Sequence, residues 1–229
     1  MSRQLFLDTE TTGLRADEGD RIIEIGCVEL VDRRPTGRNF HVYLNPERDS
    51  HPDALRVHGL SGTFLADKPK FAEVAADLLA YVSGAEILIH NAPFDIGFLN
   101  AELRWLTLPA LDTSPDLRIT DTLEMARRIY PGQSNKLDSL CKRLGIDNSL
   151  RTFHGALLDA QLLSDVYIGM TRGQNSLLVD SVATDRISTS IRQDLSGLQL
   201  LVLPASAEEL QEHQTILNEI GKKAPLVWQ

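Results

Sequence analysis

The stretch L-F-L-D-T-E-T-T-G at residues 5–13 decides how this chain is interpreted. Its first three residues are apolar and predict a short strand, which Asp8, Thr9 and Glu10 close. Because side chains alternate along a strand, Asp8 and Glu10 lie on one face and Thr9 on the other. Two carboxylates so close repel each other unless a cation lies between them, and oxygen ligands suit Mg²⁺ or Mn²⁺. A solvated acidic strand end is the alternative reading of these two residues alone.

Outward from this strand, the hydrophobic pattern predicts further strands and then an alternation of strands and helices. Runs rich in β-branched or alternating apolar residues predict strands at residues 21–31, 39–44 and 86–90. Residues 71–82 place apolar side chains at helical spacing, and Gly84 follows as a C-terminal cap. Further helices are predicted at residues 93–106, 121–130, 136–144 and 156–172. We therefore expect an α/β fold, a mixed sheet flanked by helices.

Two more carboxylates and one histidine occur in later elements. Asp95 falls in the first turn of the helix after the strand at residues 86–90, where it either stabilises the helix dipole or lies beside Asp8. His154 and Asp159 are five residues apart, about 140° around a helix, so they do not share a helical face. We expect His154 on a loop and Asp159 in the first turns of the next helix. A loop histidine suits general-base catalysis, although a lone one is more often an ordinary surface residue. Together these residues predict a two-metal phosphodiesterase site.

The composition excludes several classes of protein. The chain has 229 residues, 42% of them hydrophobic, and its 23 Lys and Arg against 32 Asp and Glu give a net charge of −9. This is an ordinary globular composition, without an apolar run of the roughly 18 residues that span a bilayer. Cys27 and Cys141 lack the spacing of a disulfide framework or a zinc site, which favours a reducing cytoplasm. An acidic chain that binds nucleic acid must do so locally, with metal ions neutralising phosphate.

The composition and the hydrophobic periodicity of the sequence change after Arg172. Residues 173–197 are rich in Ser and Thr, have no sustained period and predict a flexible linker. A short apolar run at residues 198–203 predicts a strand, and Ser206 with Glu209 forms a capping-box pattern that opens a helix. One strand and one helix do not fold alone, so this segment either docks on the first domain or binds a partner. The predicted divisions are an enzyme domain at residues 1–172, a linker at 173–197 and a partner-binding segment at 198–229.

Three motifs in order along the chain resemble those of a known family. F-L-D-T-E-T-T-G at residues 6–13, I-H-N-A-P-F-D at residues 89–95 and H-G-A-L-L-D at residues 154–159 are similar to the motifs of the DnaQ-like, DEDDh 3′→5′ exonucleases. The resemblance spans roughly residues 3–172 and implies a ribonuclease-H-like fold. Three further segments resemble the proofreading (epsilon) subunits of bacterial replicative DNA polymerases: V-H-G-L at residues 57–60, D-K-P-K-F-A-E-V-A at 67–75 and Y-P-G-Q-S-N-K-L-D-S-L-C at 130–141.

The resemblance implies an activity and a role for each matching residue. The implied activity is removal of mismatched 3′-terminal nucleotides from DNA, with His154 as the general base. Two divalent cations, Mg²⁺ or Mn²⁺, are implied about 3.5–4 Å apart. The implied metal ligands, which are also catalytic residues, are Asp8, Glu10, Asp95 and Asp159. The residues implied to bind the terminal nucleotide are Asp8, Thr9, Glu10, Leu14, Asp53, His58, Phe94 and Asp159. Asp53 stands where the family pattern usually has the longer Glu.

The resemblance also implies partners. The substrate is the single-stranded 3′ end of primer DNA. Residues 198–229, including Glu208, Glu209, Leu210, His213 and Trp228, look like a polymerase-binding tail. Q-N-S-L-L-V at residues 174–179 resembles a sliding-clamp-binding peptide. The candidate clamp contacts are Gln174, Ser176, Leu177 and Leu178. A small theta-like subunit is a further candidate partner, and no membrane is expected.

Two other functions are open on the sequence alone. A free-standing exonuclease acting on RNA ends or short oligonucleotides would use the same five catalytic positions. The C-terminal segment discriminates here, because a nuclease of small substrates does not need a partner-binding tail. The second alternative is a structural polymerase subunit without enzymatic activity, and the five intact catalytic residue types argue against it as the sole role.

Overall fold

A mixed sheet of six strands lies at the centre of the protein. The computed structural model describes residues 3–149, 153–187 and 206–221, with side chains described up to residue 172 and at residues 206–218. The strands are β1 (Arg3–Thr11), β2 (Ile22–Val31), β3 (Arg34–Pro35), β4 (Phe40–Tyr43), β5 (Glu86–Ile89) and β6 (Arg118–Asp121). Their order is β3-β2-β1-β5-β6, and β4 also pairs with β2.

The strand directions bring the ends of β1 and β5 to the same edge of the sheet. β1 pairs antiparallel with β2, where Asp8 lies opposite Gly26, and parallel with β5, where Leu7 lies opposite Ile89. β5 in turn pairs parallel with β6. Because parallel strands end at one edge, the residues that follow β1 and β5 come together there.

Helices pack on the faces of this sheet. They are α1 (Pro52–His58), α2 (Gly62–Leu65), α3 (Phe71–Val82), α4 (Ala92–Trp105), α5 (Thr122–Ile129), α6 (Leu137–Leu144), α7 (Ala156–Ile187) and α8 (Ala207–Gly221). Leu5 and Leu7 are wholly buried in a core with α3 and α4, whereas Phe6 packs against Ala160 and Leu163 of α7. The faces of β1 thus point alternately at α4 and α7. No helix in the described parts of the chain combines the length and apolarity needed to cross a membrane.

The predicted α/β class and most of the predicted elements are confirmed, but four elements were missed. α1 carried a readable signal, since Pro52 stands at its first position and Gly59 closes it with a φ of 70°. β3, β6 and α2 are only two to four residues long. β6 reads R-I-T-D, which is too polar to predict a strand. Its pairing with β5 makes it one, because the partner strand satisfies its backbone groups.

The last helix of the enzyme domain is longer than the sequence predicts. α7 continues past Arg172 to Ile187, so the first part of the predicted linker is helical. Residues 173–187 contain no proline and a single glycine, and nothing in them stops a helix already formed. By contacts within the chain, residues 1–180 and 181–229 form two compact units. The predicted division at residue 172 stays a prediction.

The C-terminal unit contains the predicted helix as α8. Its capping box is present, since the backbone N–H of Ser206 donates to Glu209 Oε2 over 2.7 Å and that of Glu209 donates to Ser206 Oγ over 3.2 Å. The strand predicted at residues 198–203 lies outside the described residues.

Candidate active site

The two carboxylates at the end of β1 share a face, as the alternation predicts. Asp8 and Glu10 lie opposite Gly26 and Glu24 in an uninterrupted register with β2. They extend the face on which Phe6 packs against α7. Glu10 is buried and Asp8 is half-buried. Both therefore face the first turn of α7.

The start of α7 supplies the matching groups. Asp159 lies in the first turn and is 3% exposed, while His154 precedes the helix on an exposed loop. His154 Nδ1 is 3.2 Å from Asp159 Oδ2. Ligand-type atoms of Glu10, His154 and Asp159 all lie within 4.8 Å of one another. Residues that are 149 positions apart in sequence thus converge on a volume that an ion can fill.

A glycine that the sequence analysis missed permits this approach. Gly26 of β2 lies beside Asp8, and a Cβ on it would come within 3.0 Å of backbone atoms of Ala156 and Leu157. The first turn of α7 therefore packs directly on the backbone of β2. A single glycine inside a β-branched strand was the available signal, because such a glycine marks a close backbone approach.

Asp95 reaches the site from the opposite face of the sheet. It lies in the first turn of α4 and is 3% exposed. The Thr9 hydroxyl donates a hydrogen bond to Asp95 Oδ1 over 2.7 Å, so the residue between the two β1 carboxylates holds the third one. Burial raises the pKa of Asp95 to about 7, although the Thr9 hydrogen bond opposes the rise. Its ionised form is thus costly in the protein without metal.

This cost predicts a pH-dependent gain of stability for Asp95→Asn. The folded pKa of Asp95 lies above its unfolded value, so the wild-type protein loses stability as the pH rises from about 4 to 7. In EDTA at pH 8 we expect the variant to have a free energy of unfolding about 2–4 kcal/mol higher than the wild type. At pH 4 the two proteins should differ little. Urea denaturation at both pH values measures this.

The matched control for that experiment is Asp77→Asn, since Asp77 is an exposed acid of α3. It should show the same stability difference from the wild type at pH 4 and pH 8. A gain for Asp95→Asn that is equally large at pH 4 would contradict the assigned cause.

The five predicted catalytic residues line one cavity. It has a volume of about 520 Å³. The predicted residues on its wall are Asp8, Glu10, Asp95, His154 and Asp159. Their joint presence in one cavity, with three of them within 4.8 Å, fits a site for divalent cations.

A second cavity of about 570 Å³ adjoins the first, and Thr9, Glu10 and Phe94 line both. The other predicted nucleotide-binding residues on its wall are Leu14, Asp53 and His58. Its size is that of a small-molecule site. Leu14 is 80% exposed at this cavity, an apolar surface unusual for a leucine.

His58 is one of the polar residues that line this second cavity. Its Nδ1 accepts a hydrogen bond from the Leu60 N–H over 2.9 Å, so in the neutral ring the proton is on Nε2. Nε2 is buried and has no hydrogen-bond partner within the described structure. Burial lowers the pKa of His58, which keeps the ring neutral. The ring thus holds an N–H donor without a partner in the described structure, on a residue that lines the cavity.

Asp53 and the predicted clamp contacts differ from the catalytic residues in their surroundings. Asp53 is exposed at the rim of the second cavity, where its carboxylate pairs with Arg56 one turn along α1. The predicted clamp contacts Gln174, Ser176, Leu177 and Leu178 fall in the helical backbone of α7, but their side chains lie outside the described residues.

Comparison with known proteins identifies the family. An exonuclease family model matches residues 5–167. The epsilon subunit of DNA polymerase III from Pasteurella multocida is 50% identical over 231 residues, covering 97% of this chain and 91% of that protein. The epsilon subunit from Escherichia coli K12 is 47% identical, covering 97% and 95%. The chain belongs to the epsilon-subunit family of exonucleases. The resemblance inferred from the motifs is confirmed.

The match covers the predicted partner-binding segment as well as the predicted enzyme domain of this epsilon-family chain. An alignment over 97% of the chain extends well beyond the enzyme domain predicted at residues 1–172. The chain therefore groups with the epsilon subunits and not with free-standing nucleases of short substrates. As an epsilon-family member it is an exonuclease of the metal-dependent DEDD type.

Solved structures show the same fold. Exonuclease X in complex with 5′-overhanging duplex DNA superposes with a TM-score of 0.58 at 25% identity, covering 76% of this chain and 93% of that one. The zinc-bound complex of E. coli exonuclease I with single-stranded DNA gives a TM-score of 0.68 at 22% identity and covers 81% of this chain. The epsilon-family chain spans 43% of exonuclease I, and that likeness shows the fold alone.

Proposed function

We propose that this chain is the proofreading 3′→5′ exonuclease, the epsilon subunit, of a DNA polymerase III in the cytoplasm. The observation that carries the proposal is the convergence of Glu10, His154 and Asp159 within 4.8 Å, in one cavity with Asp8 and Asp95. Because the nucleotide cavity shares a wall with this cluster, a strand end bound in it presents its last phosphodiester to the carboxylates.

The donor set suits hard divalent cations. Asp8, Glu10, Asp95 and Asp159 would hold two ions, Mg²⁺ or Mn²⁺, because carboxylate oxygens are the ligands these ions prefer. When bound, the ions neutralise the scissile phosphate and lower the pKa of water. The Thr9 hydroxyl holds Asp95 in place for this role. With the ions bound, the negative charge of the buried carboxylates would be compensated.

His154 is the general base. Its ring is exposed on the loop before α7, so it can reach a water molecule that approaches the scissile phosphate. The contact of Nδ1 with Asp159 Oδ2 over 3.2 Å orients the ring. One proton passes from water to the imidazole, the water oxygen bonds to phosphorus, and the bond to the 3′-oxygen of the preceding nucleotide breaks.

The second cavity selects an unpaired end. Leu14 and Phe94 offer apolar surface to a base, and the His58 Nε2–H donates to an acceptor on the terminal nucleotide. A cavity for one nucleotide cannot admit a base pair. A mismatched terminus unpairs at less cost than a matched one and reaches this cavity more often, which gives the preference that proofreading needs.

The test is the release of mononucleotides from a 5′-labelled primer that is paired or mismatched at its 3′ end. With Mg²⁺ or Mn²⁺ we expect stepwise shortening from the 3′ end, faster on the mismatch. EDTA and the Asp8→Ala/Glu10→Ala variant should abolish it. Asp77→Ala removes an exposed acid of α3 and is the matched control, with wild-type rates expected. No cleavage with either metal would overturn the proposal.

The remaining chain provides partner contacts in this proposal. The polymerase III alpha subunit binds residues 198–229, and α8 supports this because its Leu210 and Ile216 are more than half exposed. The sliding clamp binds Gln174, Ser176, Leu177 and Leu178. Truncation at Arg172 should abolish co-elution with the alpha subunit, and co-elution that survives would remove the assignment.

Replacing Gln174 and Leu177 by Ala should weaken clamp affinity, and an unchanged affinity would remove the clamp site. A theta-like subunit would be detected by co-elution with residues 1–172.

A further inference from the structure

Two cationic side chains line the catalytic cavity, one on α5 and one immediately before α6. Arg127 is in the last turn of α5, and Lys136 immediately precedes α6. Both are exposed, and within the described part of the chain neither forms an ion pair. The next residue along α5, Arg128, does so, since its guanidinium lies 3.4 Å from Glu124 Oε2. Two positive charges without an acidic partner are thus directed at the cavity of an acidic protein.

The neighbouring acids are already engaged. Asp121 accepts hydrogen bonds from the backbone N–H groups of Leu123 and Glu124 at the start of α5. Asp138 lines the cavity, and its Oδ1 accepts a hydrogen bond from Asn148 over 3.0 Å. Within the described structure, Arg127 and Lys136 are the lysine and arginine side chains that line this cavity.

The two cavities define the path of a bound strand. They meet at Thr9, Glu10 and Phe94, so a terminal nucleotide in the His58 cavity places its 5′ phosphate at the carboxylates. The preceding nucleotide then lies across the catalytic cavity, toward α5 and α6. Divalent ions held by the carboxylates would neutralise the scissile phosphate, and the next phosphate along the strand would keep its charge.

We propose that Arg127 and Lys136 bind this next phosphate, the one on the 5′ side of the nucleotide that precedes the scissile bond. The inference rests on the proposed function and adds a second phosphate subsite to it. Arg127 suits the role because a guanidinium donates two parallel hydrogen bonds to phosphate oxygens, and Lys136 adds a mobile point charge. The subsite reads no base, so it serves every sequence equally, as proofreading requires.

The test compares two substrates that differ in this phosphate. A single-stranded oligonucleotide of several residues has it, whereas the p-nitrophenyl ester of thymidine 5′-monophosphate has only the scissile phosphate. For the full-length chain, Arg127→Ala and Lys136→Ala should each raise KM for the oligonucleotide about 3–10-fold. Each should also reduce the salt dependence of KM by about 0.7 in logarithmic slope. The shift on the ester should be less than about twofold, as expected for a substrate without the second phosphate.

Two matched variants control for net charge. Arg128→Ala and Lys142→Ala remove exposed cations of α5 and α6 that do not line either cavity, and both should keep the wild-type KM. Equal losses on both substrates, or an unchanged KM for the oligonucleotide, would overturn the subsite. A wild-type protein that hydrolyses neither substrate would overturn the proposed function itself, and the subsite with it.

Discussion

Replacing His154 by Ala is expected to lower kcat for 3′→5′ hydrolysis of DNA by about 10²–10⁴-fold, the usual loss when a general base is removed. His154 does not line the nucleotide cavity, so KM should change little. The loss should appear in single-turnover measurements, where product release does not limit the rate.

His58→Ala provides the opposite pattern and a matched histidine deletion. Its Nε2–H is placed for binding and not for proton transfer, so we expect KM to rise with a smaller change of kcat. His213→Ala, at an exposed position of α8, should leave both constants unchanged. If His154→Ala raised KM and kept kcat, the residue would be a binding group and not the base.

The second large effect is expected from a residue with no functional group. Gly26→Ala should reduce kcat by about 10²-fold or more, because a displacement of about 1 Å of a catalytic group has this consequence. The new methyl group would meet the backbone of Ala156 and Leu157 and push the first turn of α7 away from β2. Asp159 and His154 move with that turn, whereas Asp8 and Glu10 stay on β1.

The measurement must separate this displacement from unfolding. Circular dichroism and urea denaturation report whether Gly26→Ala remains folded, and kcat is then compared at equal concentrations of folded protein. Gly97→Ala is the matched control, since the space around Gly97 in α4 is open and an alanine there favours the helix. A folded Gly26→Ala protein with wild-type kcat would show that the close approach is not needed for catalysis.

Both predictions concern a site whose buried acidic residues lower the stability of the folded protein. Asp95 is buried with a raised pKa, and Glu10 and Asp159 are buried beside each other at the start of α7. Removing such groups commonly stabilises a protein while it abolishes function. Asp95→Asn tests this in the same protein, with its gain confined to the pH range in which the wild-type carboxylate ionises.

The features that could be predicted from the sequence are those that depend on neighbouring residues. Alternation along β1 put Asp8 and Glu10 on one face, and helical geometry placed His154 on the loop before the helix that carries Asp159. The capping box at Ser206 and Glu209 was readable for the same reason, because its two hydrogen bonds span three residues. The motifs identified the family.

The features that depend on contacts between distant segments could be seen only in the folded protein. The hydrogen bond from Thr9 to Asp95 joins residues 86 positions apart. The close approach of the first turn of α7 to Gly26 likewise joins two elements that are far apart in the sequence. The His58 N–H lacks a partner because the Leu60 N–H occupies Nδ1 and because Nε2 is buried without an acceptor in the described structure. No periodicity encodes such pairs, because packing and desolvation are set by whichever groups the fold brings together.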